Sequence, residues 1–298
     1  MAIPTAYLAI ILIWSTTPLA IQWSTLGGSY TFALLARMTL GLALCAALMV
    51  ILRMPLPLDR RALKTYVAAG LGLFGAMFAT YWASRYISSG LIAVLFGLTP
   101  IVTGVLAALW LREAALTLAR MAGMAAGLVG LLLIFDTGYA GGIMSVAGIA
   151  AIVLAVAIQA ASLVWLKRIG APVPALAVTA GALAVAVPLY ALVWLGVDGE
   201  LPRDLSERAA LSIIYLAVFG SVLGFNLYFY IAKHLEAGQI ALINLVTPVT
   251  ALLLGSVLNN EQITPAIWVG TGCIVFGLLI HQWSAIAPLL WRCLPSRF

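Results

Sequence analysis

The sequence predicts an all-α polytopic membrane protein. Ten transmembrane helices are expected, as two inverted-topology five-helix repeats around a central cavity. Three observations carry that expectation. Of the 298 residues, 64% are hydrophobic and only 8% charged, whereas a soluble domain carries about 25% charged residues. The apolar residues are spread over the whole length in ten runs, each near the ~20 residues that a bilayer-crossing helix needs. The second half of the chain also repeats the spacing of the first.

Breaks at charge, proline and glycine place the spans at 3–23, 29–52, 62–84, 88–111, 117–135, 145–166, 173–196, 209–232, 238–258 and 265–284. The first run, Ala2–Trp23, is long enough to span and has no basic leading segment, so it does not read as a signal peptide. Span 2 follows Gly27-Gly28, and span 3 follows the basic turn around Arg60-Arg61. Arg85, Arg112-Glu113, Asp136 and Lys167-Arg168 separate the next four spans. The acidic, mixed-charge stretch Asp198–Arg208 reads as a solvated connection before span 8. Lys233–Glu236 and Asn259–Glu261 close off spans 8 and 9. Most connections are too short for a soluble domain. Cys45, Cys273 and Cys293 are odd in number and two lie in apolar runs, so no disulfide framework is expected.

With both termini cytoplasmic, eleven Lys and Arg residues fall on inside loops, against three outside (Arg85, Arg203, Arg208), with Arg37 left inside a span. This asymmetry sets the orientation by the positive-inside rule. The net charge of +6 is therefore a topological signal, and no nucleic-acid partner is expected.

The stretch Gly97–Glu113 (GLTPIVTGVLAALWLRE) and the stretch Leu245–Glu261 (LVTPVTALLLGSVLNNE) share Thr-Pro and a final Glu at an offset of 148 residues. The same frame pairs Gly72 with Gly220, Tyr81 with Phe229, Arg85 with Lys233 and Gly90 with Gly238. Past the shared Glu it slips to 147 and pairs Gly123 and Gly130 with Gly270 and Gly277. Five spans per half is odd, so the second half enters the membrane from the opposite side. The expected organisation is a first five-helix repeat over 1–140, a second, inverted one over 141–286, and a short cytoplasmic tail over 287–298. Pro100 and Pro248 occupy matching mid-span positions. A proline there removes a backbone hydrogen bond at a cost of ~3 kcal/mol, so both are expected to act as hinges or to open a carbonyl to a cavity.

A mid-helix Pro followed by Glu at the helix end, in both halves of a ten-span chain, resembles the drug/metabolite transporter superfamily in its EamA-type branch. Arg37 early in span 2 and Trp14 in span 1 fit the same pattern. Within that branch the chain looks most like the YddG-type amino-acid exporters. Ser15 departs from the small Gly or Ala that many relatives place after the Trp. The resemblance implies export of a small-molecule substrate by alternating access, with no catalytic residue and no cofactor.

The polar inventory narrows the substrate. An ionisable group within a bilayer is costly and by default marks function. No Asp or Glu lies near mid-span, which disfavours proton-coupled export of lipophilic cations. Only Arg37 is available for a phosphorylated substrate, which should want several cations. It sits about two turns from the outer end of span 2, where it reads as a snorkelling or carbonyl-bonded structural residue, or as one that contacts a substrate carboxylate or serves gating. Gln159, Asn226 and Asn244 are neutral and mid-span, able to bond a zwitterion or to join helices. Phe74, Phe78, Tyr81 and Trp82 make a stripe on span 3, mirrored by Phe225, Tyr228, Phe229 and Tyr230 on span 8. The expected substrate-binding set is Trp14, Tyr81, Trp82, Gln159, Asn226, Tyr230 and Asn244, with Pro100, Pro248 and Arg37 as hinge and gating residues.

The function this predicts is an inner-membrane exporter of neutral or zwitterionic metabolites, amino acids above all, that runs without proton coupling. The alternative is export of other metabolites or drugs. An intramembrane enzyme would need a nucleophile–base pair or a metal cluster. His234 and His281 lie at span ends, where solvation is expected for His281, and no catalytic or metal set assembles. The expected setting is the bacterial inner membrane, with the lipid bilayer as partner and the chain a monomer. In a background without native cysteines, Glu200→Cys should react with an external impermeant thiol reagent and Lys64→Cys should not. Reaction of both from one side would remove the inverted arrangement.

Overall fold

The computed structural model describes residues 3–111, 117–140, 142–202, 204–224, 227, 237–281 and 283. Among them all regular structure is helical, with no strand. The chain forms α1 (Ile3–Ser24), α2 (Tyr30–Ile51), α3 (Arg60–Ala83), α4 (Ser89–Phe96), α5 (Thr99–Leu111), α6 (Leu118–Ala140), α7 (Ile143–Ile169), α8 (Ala175–Val197) and α9 (Glu207–Tyr215). A π-helix, Leu216–Leu223, continues α9 directly, and α10 (Ala237–Asn259) and α11 (Pro265–His281) follow. Helix starts are chemically marked. Ser29 Oγ accepts from Thr31 N–H at 3.1 Å and caps α2. Asp59 caps α3 through Arg61 N–H at 3.1 Å, and Ser206 caps α9 through Ala209 N–H at 3.2 Å. At the end of α7, Gly170 takes the left-handed conformation (φ 58°) that glycine adopts without strain.

Six stretches are long and apolar enough to cross a bilayer: Thr5–Ser24, Tyr30–Ile51, Arg60–Ala83, Ser89–Leu111, Ile143–Ile169 and Ala175–Val197. Leu118–Ile134, Leu245–Asn259 and Pro265–His281 are shorter apolar helices at expected spans 5, 9 and 10. Expected span 8 falls on α9, the π-helix and residues that lie partly outside the described set. Large apolar side chains such as Val50, Leu118 and Leu192 stand exposed, as a lipid-facing surface requires.

The two matching prolines differ in their backbones. The fourth span is not one helix: it breaks at Gly97-Leu98, and Pro100 falls in the first turn of α5. There its missing N–H has no helical partner to lose. The carbonyl that Pro100 cannot bond, Phe96 O, takes the Thr99 hydroxyl at 2.7 Å instead. Pro248 lies inside a continuous α10. The two sites meet, since a β-carbon at Gly97 would lie 3.3 Å from Pro248 Cγ.

Helices in lipid gain no hydrophobic drive from one another, so close packing of small residues holds them. Among the described residues the closest approach of backbone to backbone between helices joins α6 and α11. A β-carbon at Gly123 would come within 2.5 Å of Gly277 O, and one at Gly130 within 2.5 Å of Gly270 O. The reverse approaches, from Gly277 to Gly123 O (2.6 Å) and from Gly270 to Gly130 O (2.9 Å), are equally close. The pairing order reverses along the chain, so α6 and α11 run antiparallel. Similar clefts seat α7 on α3, where Ser162 Oγ donates to Ala68 O at 3.0 Å, and seat the Tyr66 ring against Gly181 of α8.

His281 departs from the solvated position expected of a span end. It is buried at the α6–α11 crossing, and neither ring nitrogen has a hydrogen-bond partner among the described residues. Gly104 and Gly123 make its space: a β-carbon at Gly104 would lie 2.9 Å from His281 Nε2. Cys45 and Cys273 are unpaired, and Cys293 lies outside the described residues.

The α6–α11 crossing predicts a graded response. Gly277→Leu should lower the melting temperature of the detergent-solubilised protein by an amount equivalent to about 1–3 kcal/mol, the usual penalty of overpacking. Gly272→Leu on the same helix, where nothing lies within 4 Å of an added β-carbon, should leave it unchanged.

Candidate functional site

Two polar clusters interrupt the apolar interior. The first centres on Arg37. Two turns into α2, this side chain is 4% exposed, and it meets α3 and the π-helix. Its Nε lies 3.4 Å from Ser221 Oγ and its Nη1 3.5 Å from Tyr81 OH. Both are long for charge-assisted hydrogen bonds, which run near 2.7–2.9 Å. No carboxylate among the described residues pairs with it.

The local backbone explains why the guanidinium has room. Gly220 lies against it, and a β-carbon there would stand 3.2 Å from Nη2 and 3.8 Å from Thr17 Oγ1. Gly41, one turn along α2 from Arg37, lets Ser221 approach: a β-carbon at Gly41 would lie 3.5 Å from Ser221 Cβ. The wide turn of a π-helix, a feature frequent at functional sites, carries Gly220 and Ser221. Thr17 spends its hydroxyl proton on Ile13 O at 2.6 Å, which leaves its oxygen lone pairs toward the cluster. Trp14 reaches the same region, with Nε1 3.6 Å from where a β-carbon of Gly224 would be. Tyr190 backs the group from α8, its hydroxyl donating to Leu73 O at 2.8 Å.

The second cluster joins the two halves of the chain at one end of the bundle. Glu261, just past α10, accepts from Ser89 N–H (3.0 Å) and Ser89 Oγ (2.6 Å) through Oε1 and from Gly90 N–H (3.1 Å) through Oε2. The carboxylate thus caps the N-terminus of α4, where free amides and the helix dipole favour an anion. Asn259 Nδ2 bonds both Glu261 (3.1 Å) and Gln22 Oε1 (3.2 Å), and Trp23 Nε1 donates to Asn259 Oδ1 at 3.0 Å. Gln22 Nε2 reaches Ile87 O at 2.8 Å. Arg208 stacks over Trp23 at 4.3 Å. Below this contact Ser15 bonds Thr250, so α1 and α10 stay joined toward the interior. These bonds tie α1, α4 and the end of α10 together at one end of the bundle.

Of the residues singled out in the sequence, Arg37 and Tyr81 meet, Trp14 packs one turn along beside the Ala6–Ile10–Ile13 cluster, and Pro248 meets the break before Pro100. Trp82 does not join them. It packs on the other side of α3, against Tyr86 (4.9 Å between rings) and the α4–α7–α10 core, because adjacent helical residues point about 100° apart. Phe74 and Phe78 stack on each other at 6.2 Å and on Tyr190 and Tyr30, as packing between α2, α3 and α8. Gln159 is half-buried on α7, away from the contacts that define the Arg37 group. Asn226 and Tyr230 lie outside the described residues, as does the side chain of Asn244. Thr17, Ser221, Gln22 and Asn259 were not expected as a set. The one sequence signal for the joined end was the Glu shared by the two halves.

The EamA-like transporter family model matches the chain twice, over residues 3–136 and 146–281. The chain belongs to the EamA-like transporter family. It is a multi-pass membrane protein of a transporter family. An uncharacterized transporter of Archaeoglobus fulgidus is 27% identical over 213 residues, 70% of this chain and 75% of that protein. The uncharacterized inner membrane transporter YedA of Escherichia coli K12 is 34% identical over 70 residues, 24% of this chain and 23% of its own length. The uncharacterized transporter YvbV of Bacillus subtilis is 22% identical over 196 residues, 66% of this chain and 64% of its length. One solved crystal structure superposes with a TM-score of 0.68 at 23% identity, over 94% of this chain and 97% of that one. That likeness is one of fold.

Proposed function

We propose that this EamA-like transporter exports small neutral or zwitterionic metabolites, amino acids with apolar or aromatic side chains among them, across a bacterial inner membrane by alternating access. The observation that carries the reading is the α6–α11 crossing. Gly123 and Gly270 are sequence equivalents, as are Gly130 and Gly277. Gly123 packs on Gly277, and Gly130 on Gly270. Reciprocal contact of equivalents is what a two-fold axis produces, and the antiparallel sense supports halves of opposite topology. On this reading the chain divides at 140/141, between α6 and α7, and ten spans cross the membrane with both termini cytoplasmic.

Two similar halves can exchange their conformations. The prolines support such an exchange: at equivalent positions one backbone is broken, before Pro100, and the other is continuous, through Pro248. Swapping these states would open the end that Glu261 ties together and close the other. On the expected positive-inside orientation the Glu261 end is the outer one, and the proposal takes the described state as the one from which an exporter loads on the cytoplasmic side. The Arg37 group, with Trp14, Thr17, Tyr81 and Ser221, is the proposed loading site. Its hydroxyls and the Trp14 ring suit a solute with an apolar side chain.

No mid-span carboxylate is present to exchange a proton for substrate, so the proposed transport is facilitated. A cell that accumulates the solute supplies the gradient. In liposomes bearing the purified protein, efflux of labelled leucine or phenylalanine should follow the solute gradient and be insensitive to an imposed pH difference. Uphill movement driven by a pH gradient alone would overturn the facilitator reading and turn attention to the buried, unpartnered His281.

A further inference from the structure

We infer that Arg37 is the carboxylate-recognition residue of the loading site, so that a free carboxylate is obligatory in the substrate. The inference rests on the transport reading above and adds the group by which the solute is selected.

A guanidinium carries five N–H donors in a planar fork and stays charged in a protein. Arg37 uses two of those donors, on neutral hydroxyl oxygens at 3.4 and 3.5 Å. Nη2 makes no hydrogen bond among the described residues and lies beside Gly220, the small residue where a side chain would crowd it. A buried cation with open donors and no carboxylate partner among the described residues is poorly compensated by them, since buried charges ordinarily pair or bond fully. A structural arginine in a membrane helix normally snorkels to the interface or fills its donors on backbone carbonyls. Arg37 does neither among the described contacts: it is 4% exposed and bonded to side-chain hydroxyls. A substrate carboxylate would complete the site. Two parallel N–H···O bonds to a carboxylate match the fork, with Ser221 and Tyr81 hydroxyls able to turn and donate to the same oxygens.

The surroundings set what else the solute carries. A bare anion bound here would leave an apolar, neutral wall around its remainder. Tyr81 is packed fully into the core and presents only its hydroxyl, so an apolar side chain is left to the half-buried Trp14, and the Thr17 oxygen is an acceptor for an ammonium group. The cluster therefore fits the two charged ends of an α-amino acid, and it discriminates against the same molecule with its carboxylate masked. A site built to bond one group rejects an analogue that lacks it far more strongly than an apolar pocket rejects a changed side chain.

The test uses the full chain in liposomes and matched pairs of unmodified probes: leucine with leucinamide, phenylalanine with phenylalaninamide, and 3-phenylpropionate with 3-phenylpropionamide. Transport and ligand-induced thermal stabilisation are read for each. In the wild-type protein the carboxylate member of a pair should be preferred by about 30-fold or more, the ratio expected for loss of a charged hydrogen-bonded pair. Arg37→Lys should raise KM about tenfold with kcat little changed, because charge is kept and the fork lost. Arg37→Gln should abolish the preference for the carboxylate member. Equal handling of acids and amides by the wild-type protein overturns the inference while leaving amino-acid transport standing. Handling of 3-phenylpropionate but of no amino acid upholds Arg37 and overturns the amino-acid reading. If no carboxylate probe binds or moves, both fall. The wild-type comparison needs no variant, so misfolding of an Arg37 substitution does not shield the inference.

Discussion

Burying one cation in an otherwise neutral bundle is the constraint around which the rest of this structure is arranged. A bilayer interior makes such a charge cost about 2.5–3.5 kcal/mol at a helix centre even by the most lenient scale. The molecule moderates that cost without neutralising it. Gly220 and Gly41 clear space, the π-helix turns Ser221 toward the guanidinium, and Tyr81 and Tyr190 surround it with phenol groups. Nothing among the described residues cancels the charge. A fold selected for stability alone would place leucine or methionine at this position.

The Glu261 cluster is the complementary arrangement. Here a carboxylate is held by two backbone amides, a serine and an asparagine at a helix N-terminus. Hydrogen bonds to a charged group contribute about 1.5–3 kcal/mol each when made. The contact is therefore strong, and it ties α1, through Gln22 and Trp23, to α4 and α10. The glycine crossings between α6 and α11 carry no charged bond. They bring backbones together with no side chain between. Glycine also seats α4 on α10, where a β-carbon at Gly90 would lie 2.8 Å from Leu252 Cα, so that contact combines close backbone packing with the Glu261 bonds.

Much of the helical layout was legible in the sequence because it rests on local properties. Spans 2, 3, 6 and 7 fall within about three residues of α2, α3, α7 and α8, since hydropathy and capping residues act over one or two turns. Arg37 was legible as the single charge in a span. The break before Pro100 was not, because Pro248 in the same frame sits in an intact helix: the difference lies in tertiary state. The Trp82 side was misjudged because a stripe of four aromatics spans more than one helical face. His281 reads as a solvated end until Gly104 and Gly123 are seen to enclose it. Partners such as Ser221 for Arg37, or Ser89 for Glu261, are separated by well over a hundred residues, and no local pattern announces them.

The central claim is that the end tied by Glu261 opens as part of the working cycle. Spin labels on cysteines at Arg85 and Leu258, which flank that contact on the two halves, allow the distance between them to be measured by pulsed electron paramagnetic resonance in lipid. The account predicts one short distance dominating in the otherwise native protein, and a second, longer population when Glu261→Ala removes the carboxylate. A single short distance in both proteins would contradict it.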